Sequence, residues 1–158
     1  MSAVKTFLRA GHRVVVDAPP TTSLLDVVRG PLGIRSAARG CGDGSCGACR
    51  VLVEGEPQNA CRVTLADVPD GARIEGYEDV ACEPAALAAV AAFTDERPTR
   101  CTLCVPAIGV TAVALARAGR AGDADAIDAA LATATCMCTG RGSLRRALVR
   151  AALALRKA

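Results

Sequence analysis

Gly40-Cys-Gly-Asp-Gly-Ser-Cys-Gly-Ala-Cys49 puts three cysteines and four glycines into ten residues. Cys41, Cys46 and Cys49 stand in C-x4-C-x2-C spacing, and Cys61 follows after eleven intervening residues. Glycine at 40, 42, 44 and 47 clears side chains from the loop, so backbone N–H groups can turn toward whatever the sulfurs hold.

That spacing is the plant-type arrangement for a [2Fe–2S] cluster. Two irons bridged by two sulfides need four thiolates converging from a concave backbone, and the resulting anion needs N–H groups aimed at its sulfurs. Zinc also takes four thiolates, but usually from two C-x2–4-C knuckles, and it fits this triplet less well. The loop is no phosphate cradle either, because it lacks the Gly-Lys-Ser/Thr ending.

A second quartet follows. Cys101 and Cys104 form a C-x2-C pair, and Cys136 and Cys138 form a C-x-C pair. Each pair directly precedes a predicted helix, whose N-terminal N–H groups and dipole favour an anionic group. On spacing alone, zinc remains open at this quartet.

Around these loops the chain of 158 residues carries nine cysteines, 19 basic and 16 acidic residues, and a net charge of +3. So small an excess, with Phe7, Phe93 and Tyr77 as the only aromatics, gives no support for a nucleic-acid partner. Lys5 and Arg9 interrupt the N-terminal apolar residues, so no secretory signal is read. The uncharged run 101–116 is too short to insert in a membrane. The expectation is a cytoplasmic chain with reduced thiols.

The first half reads as short strands at 3–8 and 13–17, a helix 24–29 capped by Ser23, a strand 50–53, a turn 54–57, a strand 61–65 and a closing strand 73–75. From Pro84 the chain is alanine-rich and helical. The first helix there is expected to bury Leu87, Val90 and Ala91. A second runs from Pro106 to about Ala118 with Ile108, Ala112 and Leu115 as its stripe. Asp123 caps a third, with Ile127, Ala130, Leu131 and Ala134 at helical spacing, and Ser143 caps a fourth. The fold class is therefore α+β, with domains at 1–77 and 78–158.

The order of these motifs resembles the small [2Fe–2S] subunit of the xanthine oxidase family of molybdenum hydroxylases. That family includes small subunits of aerobic carbon monoxide dehydrogenase and of bacterial aldehyde and N-heterocycle dehydrogenases. The resemblance rests on Leu24-Leu-Asp-Val-Val-Arg29, the 41–49 loop, Val51-Leu-Val-Glu-Gly-Glu-Pro57, Ile74-Glu-Gly76 and Cys136-Met-Cys-Thr-Gly140. It implies a β-grasp ferredoxin-like domain followed by a four-helix bundle, each holding one [2Fe–2S] cluster. It further implies a large molybdopterin-binding partner and a medium FAD-binding partner. Electrons would pass from molybdenum to the cluster of Cys101, Cys104, Cys136 and Cys138. They would go next to that of Cys41, Cys46, Cys49 and Cys61, and then to FAD. The substrate pocket would lie in the large partner, so aldehydes, purines, other N-heterocycles and carbon monoxide all stay open.

The second site departs from the family pattern. Gln-Cys-Gly-Tyr-Cys-Thr-Pro-Gly is replaced by Arg100-Cys-Thr102-Leu103-Cys-Val-Pro-Ala107, and Met137 and Arg141 stand where Arg and Tyr are usual. By the resemblance, Arg100 takes the place of a Gln that contacts the pterin, and the expectation is an altered pterin-side interface or an altered potential of the second cluster. Two other readings stay beside this one: a [2Fe–2S] carrier for a molybdenum-free flavin dehydrogenase, and a zinc-stabilised interaction protein. Cys82 has no partner by spacing and reads as a plain thiol. His12, in a turn, builds no catalytic set. Arg141, Arg145, Arg146 and Arg150 read as a solvated helix face or as a surface that meets an acidic partner.

Overall fold

A computed structural model of the chain describes residues 2–96 and 101–155. Strands β1 (Ala3–Arg9) and β2 (His12–Ala18) pair antiparallel, with Phe7 opposite Val14 and Lys5 opposite Val16. Ala10 and Gly11 both take positive φ between them, the two-residue turn whose twist matches the strands. Phe7 and Val16 face inward, into the core that also takes Leu24, Leu25, Val27 and Val28 of α1 (Leu24–Arg29). The Ser23 hydroxyl accepts from the Asp26 N–H at the start of α1, and the Gly30 N–H donates to Asp26 O at its end.

Strands β3 (Arg50–Val53), β4 (Glu56–Asn59) and β5 (Ile74–Glu75) form a second antiparallel sheet in the order β4-β3-β5. A parallel bridge from Leu8 to Arg73 joins the two sheets, which gives the mixed arrangement expected for a β-grasp. The expected strand at 61–65 is not there. Glu54-Gly55 alone makes the turn, so the chain pairs back at once as β4, and Pro57 is tolerated because β4 is an edge. Residues Ala60–Arg62 and Leu65–Asp67 form single 3₁₀ turns instead.

After the short α2 (Tyr77–Val80) come α3 (Pro84–Glu96), α4 (Val105–Arg117), α5 (Ala124–Ala130) and α6 (Gly140–Leu155). Helix α3 packs on both α4 and α6, and α5 lies against α6. The buried face of α3 differs from expectation. Ala85, Ala86, Ala89, Ala92 and Phe93 point inward, whereas Leu87 is 56% exposed. Phe93 is the largest fully buried side chain of the bundle, and the alanines on the same face of α3 let the helices approach closely. Helix α4 is buried along all of 107–115, not along one stripe. Asp123 caps α5 as expected, accepting from the N–H groups of Asp125 and Ala126.

Ser143 is no cap. Helix α6 starts three residues earlier, and the buried Ser143 hydroxyl donates to Thr139 O. Arg145 pairs with Asp128, and Arg146 and Arg150 pair with Glu96 on α3. These exposed arginines therefore act within the chain. Among the described residues, no helix is long and apolar enough to cross a membrane.

Two buried cores result. One gathers Phe7, Leu24, Val28, Ile34, Val51, Leu65 and Ile74. The other gathers Phe93, Ile108, Val113, Ile127, Leu131, Leu144 and Leu148, and it takes in Cys46, Ala48 and Leu52 from the first half of the chain.

Candidate iron–sulfur sites

Cys41, Cys46, Cys49 and Cys61 all line one cavity of about 420 Å³, beside Ser23, Asp26, Arg39 and Gly40. Within it the thiols stand in two interacting pairs, 41 with 46 and 49 with 61. The loop wraps N–H groups toward sulfur. The Cys41 N–H donates to Cys46 Sγ (3.4 Å), the Cys46 N–H to Cys41 Sγ (3.3 Å), the Ala48 N–H to Cys46 Sγ (3.4 Å) and the Cys61 N–H to Cys49 Sγ (3.5 Å). Gly40 explains one clearance: a Cβ there would stand 2.7 Å from Cys46 Sγ.

Cys101, Cys104, Cys136 and Cys138 line a second cavity of about 520 Å³, with Leu103 and Met137 at its rim. Here too the thiols pair, 104 with 136 and 101 with 138. Cys104 stands at the N-cap position of α4, and the 136–138 segment leads into α6, so each cysteine pair directly precedes a helix. Cys101 and Cys138 are exposed, Cys104 and Cys136 are buried, and Met137 is 79% exposed. The exposed pair and the apolar rim give this cavity an outward face. Arg100 lies outside the described residues. Cys82 is exposed and joins neither cavity, and His12 is exposed at the start of β2.

The donor chemistry fits [2Fe–2S] cores. Two thiol pairs across each cavity match two irons, each taking two thiolates. The acidities agree. Burial, and then the Cys49 thiolate, push the Cys61 thiol up to about 11; burial and Cys136 push Cys104 up to about 12. Crowded, buried thiolates of this kind need a cationic partner, and iron binding would expel their protons.

Cys41 and Cys136 go the other way. Burial and Asp43 raise Cys41, but the Cys46 N–H and the Ser45 and Cys46 side chains outweigh them and hold it at about 7. At Cys136, burial is likewise overcome by the nearby Thr139 hydroxyl and N–H groups, so its pKa falls below the usual thiol range. The buried Thr139 hydroxyl has no well-formed hydrogen bond of its own. An anionic sulfur core beside Cys136 would supply one.

The two sites share a wall. Cys46 and Cys104 line a common crevice, and the Cys46 thiolate is among the charges that raise Cys104. The loops that carry the sites are bonded to each other: the Thr135 N–H donates to Ser45 O (3.0 Å), and the Asn59 amide donates to both Gly44 O (2.9 Å) and Thr133 O (2.8 Å). Gly47 permits the contact. At φ +71°, a Cβ there would lie 2.8 Å from Ala134 Cβ and 3.1 Å from Thr133 O.

Sequence reasoning singled out the eight cysteines that line these cavities but missed the polar seam of Arg50, Asn59, Thr111 and Thr133. A lone Arg at the head of a strand is ordinarily a surface residue, and nothing in its neighbours signals burial.

Residues 8–86 match the family described as a 2Fe-2S iron–sulfur cluster binding domain. One of the probable xanthine dehydrogenase subunits of Bacillus subtilis (strain 168) is 34% identical over 140 residues, covering 89% of this chain and 80% of that protein. One of the nicotinate dehydrogenase subunits of Pseudomonas putida is 36% identical over 87 residues, 55% of each chain. The crystal structure of the aldehyde oxidoreductase from Desulfovibrio desulfuricans superposes with a TM-score of 0.77 at 28% identity; the match covers 98% of this chain but 17% of that one. This chain thus corresponds to one part of that longer protein. With two thiol-paired cavities, an N–H-lined cysteine loop and these relatives together, the chain belongs to the small [2Fe–2S] iron–sulfur subunits of the xanthine oxidase family of molybdenum hydroxylases.

Proposed function

We propose that this chain relays single electrons through two [2Fe–2S] clusters, one held by Cys101, Cys104, Cys136 and Cys138 and the other by Cys41, Cys46, Cys49 and Cys61. The carrying observation is that two cysteine quartets line two cavities sharing a wall at Cys46 and Cys104. Each cluster supplies one-electron chemistry when bound. The protein's own part is to hold thiolates in pairs, to aim N–H groups and helix starts at anionic sulfur, and to exclude water from Cys46, Cys104 and Cys136. The exposed rim at Leu103 and Met137 would meet a large molybdopterin-binding partner. The opening beside Cys41 would face a medium FAD-binding partner. The division at 1–77 and 78–158 would give each cluster its own domain, and the assembly would be cytoplasmic.

The protein reconstituted without air should contain about four irons and four sulfides per chain with negligible zinc. It should show two EPR signals when reduced. Cys46→Ser should remove or alter one of them; loss of both signals from a folded chain would refute independent quartets. Affinity purification from the native host should bring down a molybdenum-bearing and a flavin-bearing chain. A flavin chain alone would favour the molybdenum-free dehydrogenase reading.

A further inference from the structure

Among the described residues, Arg50 is the only buried charged side chain, 4% exposed. All its hydrogen-bond acceptors are neutral: Asn59 Oδ1 (3.2 Å), Thr111 Oγ1 (3.0 Å), Ala130 O (2.9 Å), Thr133 Oγ1 (3.1 Å) and Thr133 O (3.5 Å). The Thr111 hydroxyl itself donates to Ala107 O (2.7 Å), which leaves its lone pair for the guanidinium. No carboxylate appears among these partners. A buried cation without a counter-charge is costly, and proteins rarely keep one unpaired. Arg50 directly follows Cys49 in the chain. Arg50 also lines the narrow crevice between Cys46 and Cys104.

We propose that Arg50 is the fixed counter-cation of both clusters, a buried guanidinium in the seam between them that favours their reduced forms. This rests on the cluster reading above. Reduction adds one electron to an already anionic core. A guanidinium held by several neutral acceptors can neither turn away nor be screened by salt. It therefore stabilises the reduced form more than the oxidised one and raises both potentials. It also lowers the repulsion between two cores reduced at the same time. The effect is larger at the first cluster, because Arg50 directly follows Cys49 and lines the crevice beside Cys46.

The test is an EPR-monitored redox titration of the full chain carrying both clusters, after iron and sulfide analysis. A wild-type chain that takes up no iron overturns the cluster reading itself and is seen before any titration. With clusters present, Arg50→Gln should lower the reduced-to-oxidised ratio of the first cluster at fixed poise on the order of tenfold, about 59 mV for a one-electron couple. The second cluster should shift the same way by less. Arg50→Lys, which keeps the charge and loses the fork, should titrate as the wild type does. Unshifted potentials in a cluster-loaded Arg50→Gln chain overturn the proposal. If Arg50→Gln does not load clusters, Arg50→Lys decides. Loading with wild-type potentials supports the charge as the cause; failure to load assigns the effect to hydrogen bonding and overturns it.

Discussion

Gly47→Ala probes the joint between the two cluster loops. Two penalties act at this position. An alanine held at φ +71° costs about 1–2 kcal/mol for the left-handed backbone. The new Cβ also stands 2.8 Å from Ala134 Cβ and 3.1 Å from Thr133 O. Neither neighbour is the end of a flexible side chain, so the segment leading to Cys136 must move as a body. Overpacking of this kind costs about 1–3 kcal/mol. Gly55→Ala is the control: its φ is +85°, yet nothing lies within 4 Å of the added carbon. It carries the backbone penalty alone. The assay is the rate at which visible cluster absorbance is lost in guanidinium without air, starting from chains loaded with iron to the same level. If the loop contact is lost before iron escapes, Gly47→Ala should bleach about 5- to 150-fold faster than Gly55→Ala, the range that 1–3 kcal/mol of barrier represents. Equal rates for the two variants would mean that the 47/134 contact does not hold the loops together.

Phe93→Ala should destabilise the chain by about 3–5 kcal/mol, because Phe93 is the bundle's largest buried side chain and alanines around it cannot fill the space; a fall in the far-ultraviolet melting temperature reads this out. Glu75 should make part of the stability acid-sensitive. Its bond from Arg117, at 2.8 Å, holds its carboxyl below the usual range. The stabilisation is complete above the unfolded value of roughly 4.3 and is lost as pH falls through the lower folded value. Arg117→Ala should therefore melt below wild type at pH 7, and the gap should shrink as the pH is brought down through 4. A gap that stays constant would assign the effect of Arg117 to packing.

The grouping of the cysteines was legible because it is written in local spacing: C-x4-C-x2-C in a glycine loop, and paired cysteines before helix starts, which the fold brings to two cavities. The hairpin at 10–11, the caps at Ser23 and Asp123 and the extents of α1 and α4 were legible for the same local reason. The misses were all matters of tertiary choice. Leu87 outranks Ala89 in hydrophobicity, yet α3 buries the face that carries Phe93 and the alanines. Ser143 follows a cap pattern, but α6 had already begun at Gly140. Cys61–Leu65 has strand composition, yet the tight Glu54-Gly55 turn commits the pairing edge of β3 to Glu56–Asn59. Arg50 was the deepest miss, since only the assembled seam supplies acceptors for a guanidinium so far from water.

The bond from Thr135 to Ser45, with Asn59 reaching both Gly44 and Thr133, has a kinetic meaning. Tunnelling slows exponentially as the gap widens, so a hinge between donor and acceptor would scatter transit times from one molecule to the next. Under the proposed relay, stitching the loops together at this seam would hold that gap to one length, and the rate would then be set where electrons enter and leave the chain.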